Sequence, residues 1–391
     1  MGKADNPAGA SGQSSADLLI IGGGVMGLWA AVKAERLGID TLLVDAGGLG
    51  QGASHGLIGA LMSHLPDKWS DKKQFQFDAL VALEDEVARL EGETGVSCGY
   101  RRCGRLIPLP KPHLADIARG HSQDAESRWL AGDRKFHWHV MEETPNPEWL
   151  NASIGEAGVV LDTLAGRASP RRFGSALAAA LKQAKHVRII ENNGVVRLNG
   201  REAVLADGSI IAFGHAIVAN GYQAFPLLES LGSPMPRPLG MPVKGQSALL
   251  KADVDIDLPV IFLKGLYVVP HEGGTVAIGS TSEEEFDAPF ATDEKLEALI
   301  ERARKMSPML ADAPVVERWA GLRPKAIDRD PMIGRHPDHP HILALAGGFK
   351  VSFGLAHKLA DAVLDALAGR SMAVPPSFLL ENHLTVARAS V

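Results

Sequence analysis

A chain of 391 residues, 46% of them hydrophobic, can bury a large core and exceeds one ordinary domain, so two interleaved domains are expected. A net charge of −6 at pH 7, a pI near 6.2 and the lack of any long Lys/Arg run leave no electrostatic footprint for nucleic acid. Only two cysteines, Cys98 and Cys103, are present; they exclude a disulfide scaffold, are not at metal-site spacing, and point to a reducing, cytoplasmic setting.

Residues 1–16 are Gly, Ala, Ser and polar side chains without the apolar stretch of a signal peptide, and they read as a disordered tail. No apolar run reaches transmembrane length, so no integral membrane segment is expected. Asp17-Leu-Leu-Ile-Ile then predicts a buried strand. The turn after it carries Gly22, Gly24 and Gly27 at G-x-G-x-x-G spacing, around Val25 and Met26, and Leu28 to Leu37 predict a helix that ends at Gly38. A second strand, Thr41–Val44, closes on Asp45 and Ala46. Gly22 allows a tight turn, Gly24 lets backbone approach a pyrophosphate, and Gly27 lets helix and strand pack closely. The helix N-terminus offers N–H groups and a positive dipole end to phosphates. Asp45 can accept hydrogen bonds from both ribose hydroxyls and would repel a 2′-phosphate, which disfavours NADP. All these parts fall in register, which indicates dinucleotide binding; they do not separate NAD from FAD.

Six glycines lie within the 13 residues from Gly47 to Gly59, around Ser54, His55, Gly56, Leu57 and Ile58. A linker would not carry Leu57-Ile58, so this backbone is expected to lie against something flat or charged. Phe77, Leu80, Val87 and Leu90 mark one face of an amphipathic helix. Short strands near 105–109 and a helix over 113–131 follow. Ser169-Pro170 opens a helix that runs to Lys182. Val187–Glu191 predicts a strand. Val195–Leu198, Ala203–Leu205 and Ile210–Ala212 predict a meander with an Asp207-Gly208 turn, and 215–221 a separate buried strand through Ala219 to Gly221. Residues 240–280 are β-rich, Glu294–Lys305 predict a helix, Leu343 to Gly348 a strand that runs into Gly347 and Gly348, and Leu355–Leu367 a last helix. There is no internal repeat. The expected fold class is α/β: a Rossmann-type domain over 17–95, 160–235 and 320–391, with an interleaved α+β substrate domain over 96–159 and 236–319 built on an antiparallel sheet.

In this order and spacing the segments resemble the FAD-dependent D-amino-acid oxidase superfamily, nearest the glycine oxidase and sarcosine oxidase branch. The resemblance is spread over 17–370. It rests on the GGGVMG unit, the GASHGLIGA stretch, Ser169-Pro-Arg-Arg-Phe, Ile217-Val-Ala-Asn-Gly221, Pro242-Val-Lys-Gly-Gln246, Tyr267-Val-Val-Pro270, Ala277-Ile-Gly-Ser-Thr281, Trp319-Ala-Gly-Leu-Arg-Pro324, Asp330-Pro-Met-Ile-Gly334 and Gly347-Gly-Phe349-Lys350. The resemblance implies non-covalent FAD, with its pyrophosphate on Gly22, Gly24, Val25, Met26 and Gly27 and its ribose on Asp45 beside Ala46. Most relatives carry Glu there, one methylene longer. It places Ser54, His55, Gly56, Leu57 and Ile58 beside the isoalloxazine, Val195 or Val196 near the adenine, and Ala219 and Gly221 at a strand end against the cofactor. Gly347, Gly348, Phe349 and Lys350 fall under the pyrimidine edge, where Lys350 or a helix N-terminus would stabilise the charge that reduction places at N1/O2.

The implied chemistry is oxidation of a C–N bond in a small amino acid or amine to an imine that hydrolyses to an oxo acid, with O2 reoxidising the flavin and giving H2O2. The resemblance implies that Arg323 grips the substrate carboxylate bidentately, with Lys350 and Tyr267 beside it and His271 facing the same cavity. Each has a plainer reading: an interdomain salt bridge for Arg323, a flavin contact alone for Lys350, β-core for Tyr267 and a strand-end residue for His271. His55 is either a turn histidine or, as in some relatives, a covalent flavin attachment; no Cys after residue 103 offers the sarcosine-oxidase linkage. No metal is expected, because His137, His139 and the group His336, His339, His341 lack ligand partners at the right spacing. Ser54 lacks the triad order that hydrolysis requires. Sarcosine oxidases carry an oxygen-activating Lys where this chain has Ala277. A dehydrogenase that passes electrons to a quinone or other carrier is therefore the main rival reading. A non-catalytic flavin-binding protein and an NAD-dependent dehydrogenase are further rivals, and a homo-oligomer is left open. Glycine, sarcosine, a small D-amino acid, a cyclic imino acid or an aminophosphonate would each supply an amine and an anion.

Overall fold

The computed structural model describes residues 14–389. The expected tail lies outside the described residues up to position 13, but Ser14, Ser15 and Ala16 belong to the first strand, Ser14–Ile21, and pair with Ile211, Ala212 and Phe213. Strand pairing is a backbone property, so the ladder continues past the apolar run that marks the strand in the sequence.

Five parallel strands form the first sheet, in the order Val187–Ile190, Thr41–Val44, Ser14–Ile21, Ile210–Val218, Ile342–Ala346. Met332–Arg335 adds an antiparallel edge, and Glu202–Leu205 with Val195–Asn199 form an antiparallel arm on the first half of Ile210–Val218. Alternate residues face opposite sides of a strand. Leu18 and Ile20 pack with Leu43, Ile217 and Leu345 under the helices Val25–Arg36, Asp71–Thr94, Pro170–Lys182 and Ser352–Leu367. Leu19 and Ile21 pack on the other face with Phe225, Leu228 and Leu384. Both faces are covered, which is why these strands read as unbroken apolar runs.

The sequence divides 210–221 into two strands around Gly214, but the structure has one, Ile210–Val218. A Cβ at Gly214 would lie 2.6 Å from the Asp17 carbonyl oxygen of the neighbouring strand. The glycine marks a close backbone approach and not a break.

The second sheet has eight strands, in the order Val315–Ala326, Gly240–Lys251, Thr275–Gly279, Leu266–His271, Val260–Leu263, Arg105–Pro108, Val159–Asp162, Trp138–Met141. All pairs are antiparallel except Val260–Leu263 with Arg105–Pro108. The helix Glu294–Met306 covers one face. Val159–Asp162 and Val315–Ala326 both belong to this sheet, so it crosses the boundaries expected at 159/160 and 319/320. Arg323 therefore stands on the second sheet, opposite Val243. The run Trp-Ala-Gly-Leu-Arg-Pro gives a poor strand signal because its glycine and proline lack β-propensity. Here Gly321 pairs with Gly245 and Pro324 with Pro242. Among the described residues no helix is long and apolar enough to cross a membrane.

Candidate active site

The carboxyl ends of Ser14–Ile21, Ile210–Val218 and Ile342–Ala346 open onto a cavity of about 590 Å³ that the second sheet closes. Open α/β sheets bind ligands at this edge.

The turn after the first strand forms one end. Gly22 has a φ of +107°, and a Cβ there would lie 2.6 Å from the backbone of Ala219 and Asn220. Only glycine fits, and Ala219 and Gly221 are thereby brought to the cavity wall. At Gly24 a Cβ would meet only Ser54 Oγ, at 3.2 Å, so its other side is bare toward the cavity. The Val25 N–H donates to Ser54 Oγ at 2.9 Å, and Val25, Met26 and Ser54 line the cavity. Gly27 is off the wall; a Cβ there would collide with the Gly22 carbonyl, so its role is helix–strand packing. Asp45 Oδ2 accepts the Gly23 N–H at 2.6 Å and Oδ1 the Gly47 N–H at 2.8 Å. The short Asp side chain is thus tied to the turn itself. A carboxylate has about four acceptor sites, so roughly two remain for ribose hydroxyls. Ala46 and Val195 line this end, and Gly194 packs against Ala46. Val196 is 61% exposed and points away, because neighbours on a strand alternate sides, so of the two candidates for the adenine only Val195 faces the cavity.

The other end is built on Arg323. Its Nη1 donates to Ser280 Oγ at 3.0 Å and its Nη2 to the Thr281 carbonyl at 2.5 Å. The guanidinium lies flat on Gly245, where a Cβ would come within 2.6 Å of Cζ. Nε is buried and has no partner, and among the described residues no carboxylate makes an ion pair with Arg323. Burial lowers its pKa to about 10, against the opposing pull of Tyr267 and Glu283. The interdomain salt bridge offered as its plainer reading is absent from the described residues.

Lys350 stands exposed on the open side of the cavity, yet the walls withdraw part of its water shell. Desolvation first, and the Arg323 charge second, lower its pKa to about 8. Arg323 Cζ and Lys350 Nζ each lie 5.4 Å from the ring centroid of Phe349. Phe349 has a φ of +42°, a conformation that costs a non-glycine residue about 1–3 kcal/mol and is held by its surroundings. Gly347 is on the wall; Gly348 is not, because it packs under Met26 and Ser352. Tyr267 lines the cavity with its ring 4.8 Å from Phe262, and burial raises its phenol pKa, so it stays neutral. Among the described residues, the one carboxylate on the cavity wall is Asp45, beside the Gly22–Gly24 turn.

Two histidines are placed differently from expectation. Gly56, Leu57 and Ile58 line the cavity but His55 does not. The one-turn helix Gly52–His55 aims Ser54 at Val25 and leaves His55 on the other side, where its carbonyl accepts from Arg171 Nε at 3.1 Å. Arg171 in turn forms an ion pair with Glu317. His271 is also off the wall. Its buried Nε2 donates to the carbonyls of Leu57 and Ile58 at 3.0 and 3.1 Å, and burial lowers its pKa to about 4. It fastens the glycine-rich segment to the second sheet as a neutral imidazole.

Several wall and supporting residues have a role that the sequence does not assign. His64 follows the short strand Ala60–Leu61, and its N–H donates to Gln76 Oε1 at 2.7 Å. Trp319 folds over Gly321 and against Gly56. Behind Arg323, the fully buried Gln246 donates to Glu283 at 2.9 Å and Asp293 at 2.8 Å, while Thr281 Oγ1 donates to Glu283 at 2.5 Å. This network fixes the Thr281 carbonyl that Arg323 uses.

The chain matches the family described as FAD dependent oxidoreductase over residues 17–362. It is 28% identical over 373 residues to a glycine oxidase of Pseudomonas aeruginosa, covering 92% of this chain and 97% of that protein. It is 29% identical over 372 residues to a bifunctional ThiO/ThiG protein of Synechocystis, covering 90% of this chain but spanning only 52% of that protein. The solved glycine oxidase of Geobacillus kaustophilus superposes with a TM-score of 0.81 at 22% identity, covering 94% of this chain and 99% of that one.

The residues present fit a flavin dinucleotide. Gly22 and Gly24 leave the turn without side chains where a pyrophosphate must approach, and Asp45 keeps acceptor capacity for a ribose. Lys350 and Arg323 supply positive charge at the far end, where among the described residues no acid lines the wall. On the family match and on this geometry, the chain belongs to the FAD dependent oxidoreductases, is an enzyme, and uses FAD as its cofactor.

Proposed function

We propose that the protein oxidises the C–N bond of a small amino acid of the glycine, sarcosine or D-amino-acid type, with the substrate carboxylate on Arg323 and O2 as the electron acceptor. The observation that carries this reading is the half-buried Arg323 guanidinium. It is pinned through Nη1 and Nη2, its buried Nε lacks a partner, and among the described residues no acid pairs with it. A largely desolvated cation without a counter-ion is costly unless an anion completes the site. A carboxylate is the planar anion that a guanidinium grips with parallel hydrogen bonds.

Bound FAD supplies a two-electron acceptor. The substrate gives up its α-hydrogen as hydride and a proton from nitrogen, and water hydrolyses the resulting imine to an oxo acid. Arg323 fixes the carboxylate, and hence the direction of the Cα–H bond. Tyr267 borders the substrate as a neutral phenol. Lys350 holds a proton on Nζ at neutral pH and keeps positive charge beside Phe349 while negative charge develops in the cavity. Non-covalent attachment is supported by His55, Cys98 and Cys103 all lying off the wall.

The test is anaerobic bleaching of the flavin absorbance with glycine, sarcosine, small D- and L-amino acids, a cyclic imino acid, an aminophosphonate and uncharged amines, followed by air. Amines bearing an anion should bleach the flavin, and air should restore its colour with H2O2 formed. Bleaching that air does not reverse would favour the dehydrogenase reading. Arg323→Ala should retain FAD and lose about two orders of magnitude or more in kcat/KM, since each hydrogen bond to a charged group contributes about 1.5–3 kcal/mol. Preferential bleaching by uncharged amines, or unaltered kinetics in the variant, would refute the carboxylate site.

A further inference from the structure

Phe290 is 67% exposed, yet it is part of the wall of the cavity that holds Arg323, Tyr267 and Lys350. It lies on the segment that joins the strand Thr275–Gly279 to the helix Glu294–Met306. That segment is fastened at both ends. At its start, the Glu283 N–H donates to the Lys244 carbonyl at 3.0 Å, and the Lys244 N–H donates to the Glu283 carbonyl at 2.8 Å. The Glu283 carboxylate also accepts from Gln246 and from Lys295. At its end, the Asp293 N–H donates to Gln246 Oε1 at 2.9 Å. Between these two points, residues 284–292 form no helix or strand beyond a turn at Pro289-Phe290, none is buried, and none is tied by a backbone–backbone hydrogen bond to another element among the described residues. One side chain, Glu284, is tied to Lys325, whose backbone bridges to Gly348 beside Phe349. A stretch with free backbone between two fixed points can move as a unit about its ends.

The same segment begins with Ser280 and Thr281, which hold Arg323. The fastened root of the loop therefore orients the cation, while its free middle carries a large apolar ring over the same cavity. We propose that Phe290 is a specificity-determining residue, carried by a hinged segment over 284–292 that closes its ring onto the apolar side chain of an amino acid held by Arg323. This rests on the carboxylate site proposed above. Glycine gives the ring nothing to cover, whereas an alkyl or aryl side chain exchanges water for ring contact on both partners. Closure would also remove water from the space next to the Cα–H bond.

Phe290→Ala and Phe290→Leu test this, with flavin content measured first; removing so exposed a ring leaves the core untouched. The readings are kcat/KM by anaerobic bleaching for glycine, alanine and norvaline, both enantiomers of each chiral one, and dissociation constants of acetate and benzoate from the flavin spectrum. Phe290→Ala should lower the norvaline-to-glycine ratio and the benzoate-to-acetate affinity ratio at least tenfold, and Phe290→Leu should restore part of each. Benzoate, more than acetate, should slow proteolytic cutting within 284–292 in the wild type. Equal changes for large and small ligands, or no change, overturn the inference, as does cutting that ignores benzoate. If no carboxylate-bearing amine bleaches the wild type, the proposed function fails; the benzoate and acetate constants and the proteolysis still decide on Phe290.

Discussion

Gly245→Ala perturbs Arg323 without altering it. The added Cβ would lie 2.6 Å from Cζ and Nη2 and 2.9 Å from Nε. Carbon atoms rest at about 3.5–4.0 Å, so the guanidinium plane must retreat by roughly 1 Å. It cannot do so and keep its bonds to Ser280 Oγ at 3.0 Å and the Thr281 carbonyl at 2.5 Å, since Thr281 is held by the Gln246–Glu283 network and Ser280 precedes it directly. A misplacement of about 1 Å in a substrate-orienting group costs on the order of 10²-fold in rate. The backbone has no objection: Gly245 needs no positive φ and sits mid-strand opposite Gly321, where alanine is the better residue. We expect kcat/KM for the best carboxylate-bearing amine to fall about 100-fold, a carboxylate inhibitor to weaken in parallel, and any uncharged amine to be affected far less. FAD content and melting temperature should match the wild type. Kinetics within about twofold of wild type would refute the stacking of Arg323 on Gly245 as the device that aims it; loss of FAD would show that Gly245 serves the cofactor.

Two further changes separate cofactor binding from scaffold. Gly24→Val should fold but purify without colour, because the protein itself offers the new Cβ only Ser54 Oγ at 3.2 Å while the bare side faces the pyrophosphate; full flavin occupancy would place the cofactor elsewhere. His271 has its folded pKa lowered to about 4 from 6.5, so between those values the unfolded chain takes up a proton that the folded chain refuses. Its contribution is therefore complete above pH 6.5 and is lost as pH falls toward 4, by up to about 3 kcal/mol. His271→Gln keeps an N–H for the Leu57 and Ile58 carbonyls but does not titrate; urea unfolding at pH 7 and pH 4.5 should show a gap about 2–3 kcal/mol smaller than in wild type, and an unchanged gap would rule out a buried neutral imidazole.

The nucleotide end was the most legible part because local sequence suffices for it. Gly22, Gly24, Gly27 and Asp45 lie on one continuous strand–turn–helix–strand unit, whose spacing alone sets their placement. Even there, the reason Gly22 must be glycine comes from Ala219 and Asn220, nearly 200 residues away. The substrate end depends on pairings between distant segments. Nothing local shows that Arg323 lies on Gly245 or that Ser280 and Thr281 hold it; those contacts follow from the register of Val315–Ala326 against Gly240–Lys251. The same limit explains the two histidines. His55 sits in the expected glycine-rich segment and His271 four residues beyond Tyr267, yet the His55 backbone is held by Arg171 and the His271 imidazole by the Leu57 and Ile58 carbonyls, all distant in sequence. Phe290 lies in an acidic, irregular stretch that no periodicity marks.

The two ends are not set by one sheet each, and this bears on how the reaction geometry is held. Arg323 and Tyr267 stand on the second sheet, Asp45 and the Gly22–Gly24 turn on the first, and Lys350 follows a first-sheet strand. On the proposed function, a hydride can pass only if the substrate held by one sheet meets the flavin held by the other at near contact distance. Among the ties that cross the gap, three reach backbone beside the cavity. His271 donates to Leu57 and Ile58, Lys325 bridges to Gly348, and Arg171 joins the His55 carbonyl to Glu317 on the edge strand. Each ends within one or two residues of a cavity-lining position, and each grips backbone on at least one side. Backbone grips leave little freedom for the two sheets to slide, because a carbonyl cannot follow a moving donor by changing rotamer. The donor and acceptor sides of the cavity are thus registered to each other through Leu57, Gly348 and His55, three residues that need not touch substrate to decide where it meets the flavin.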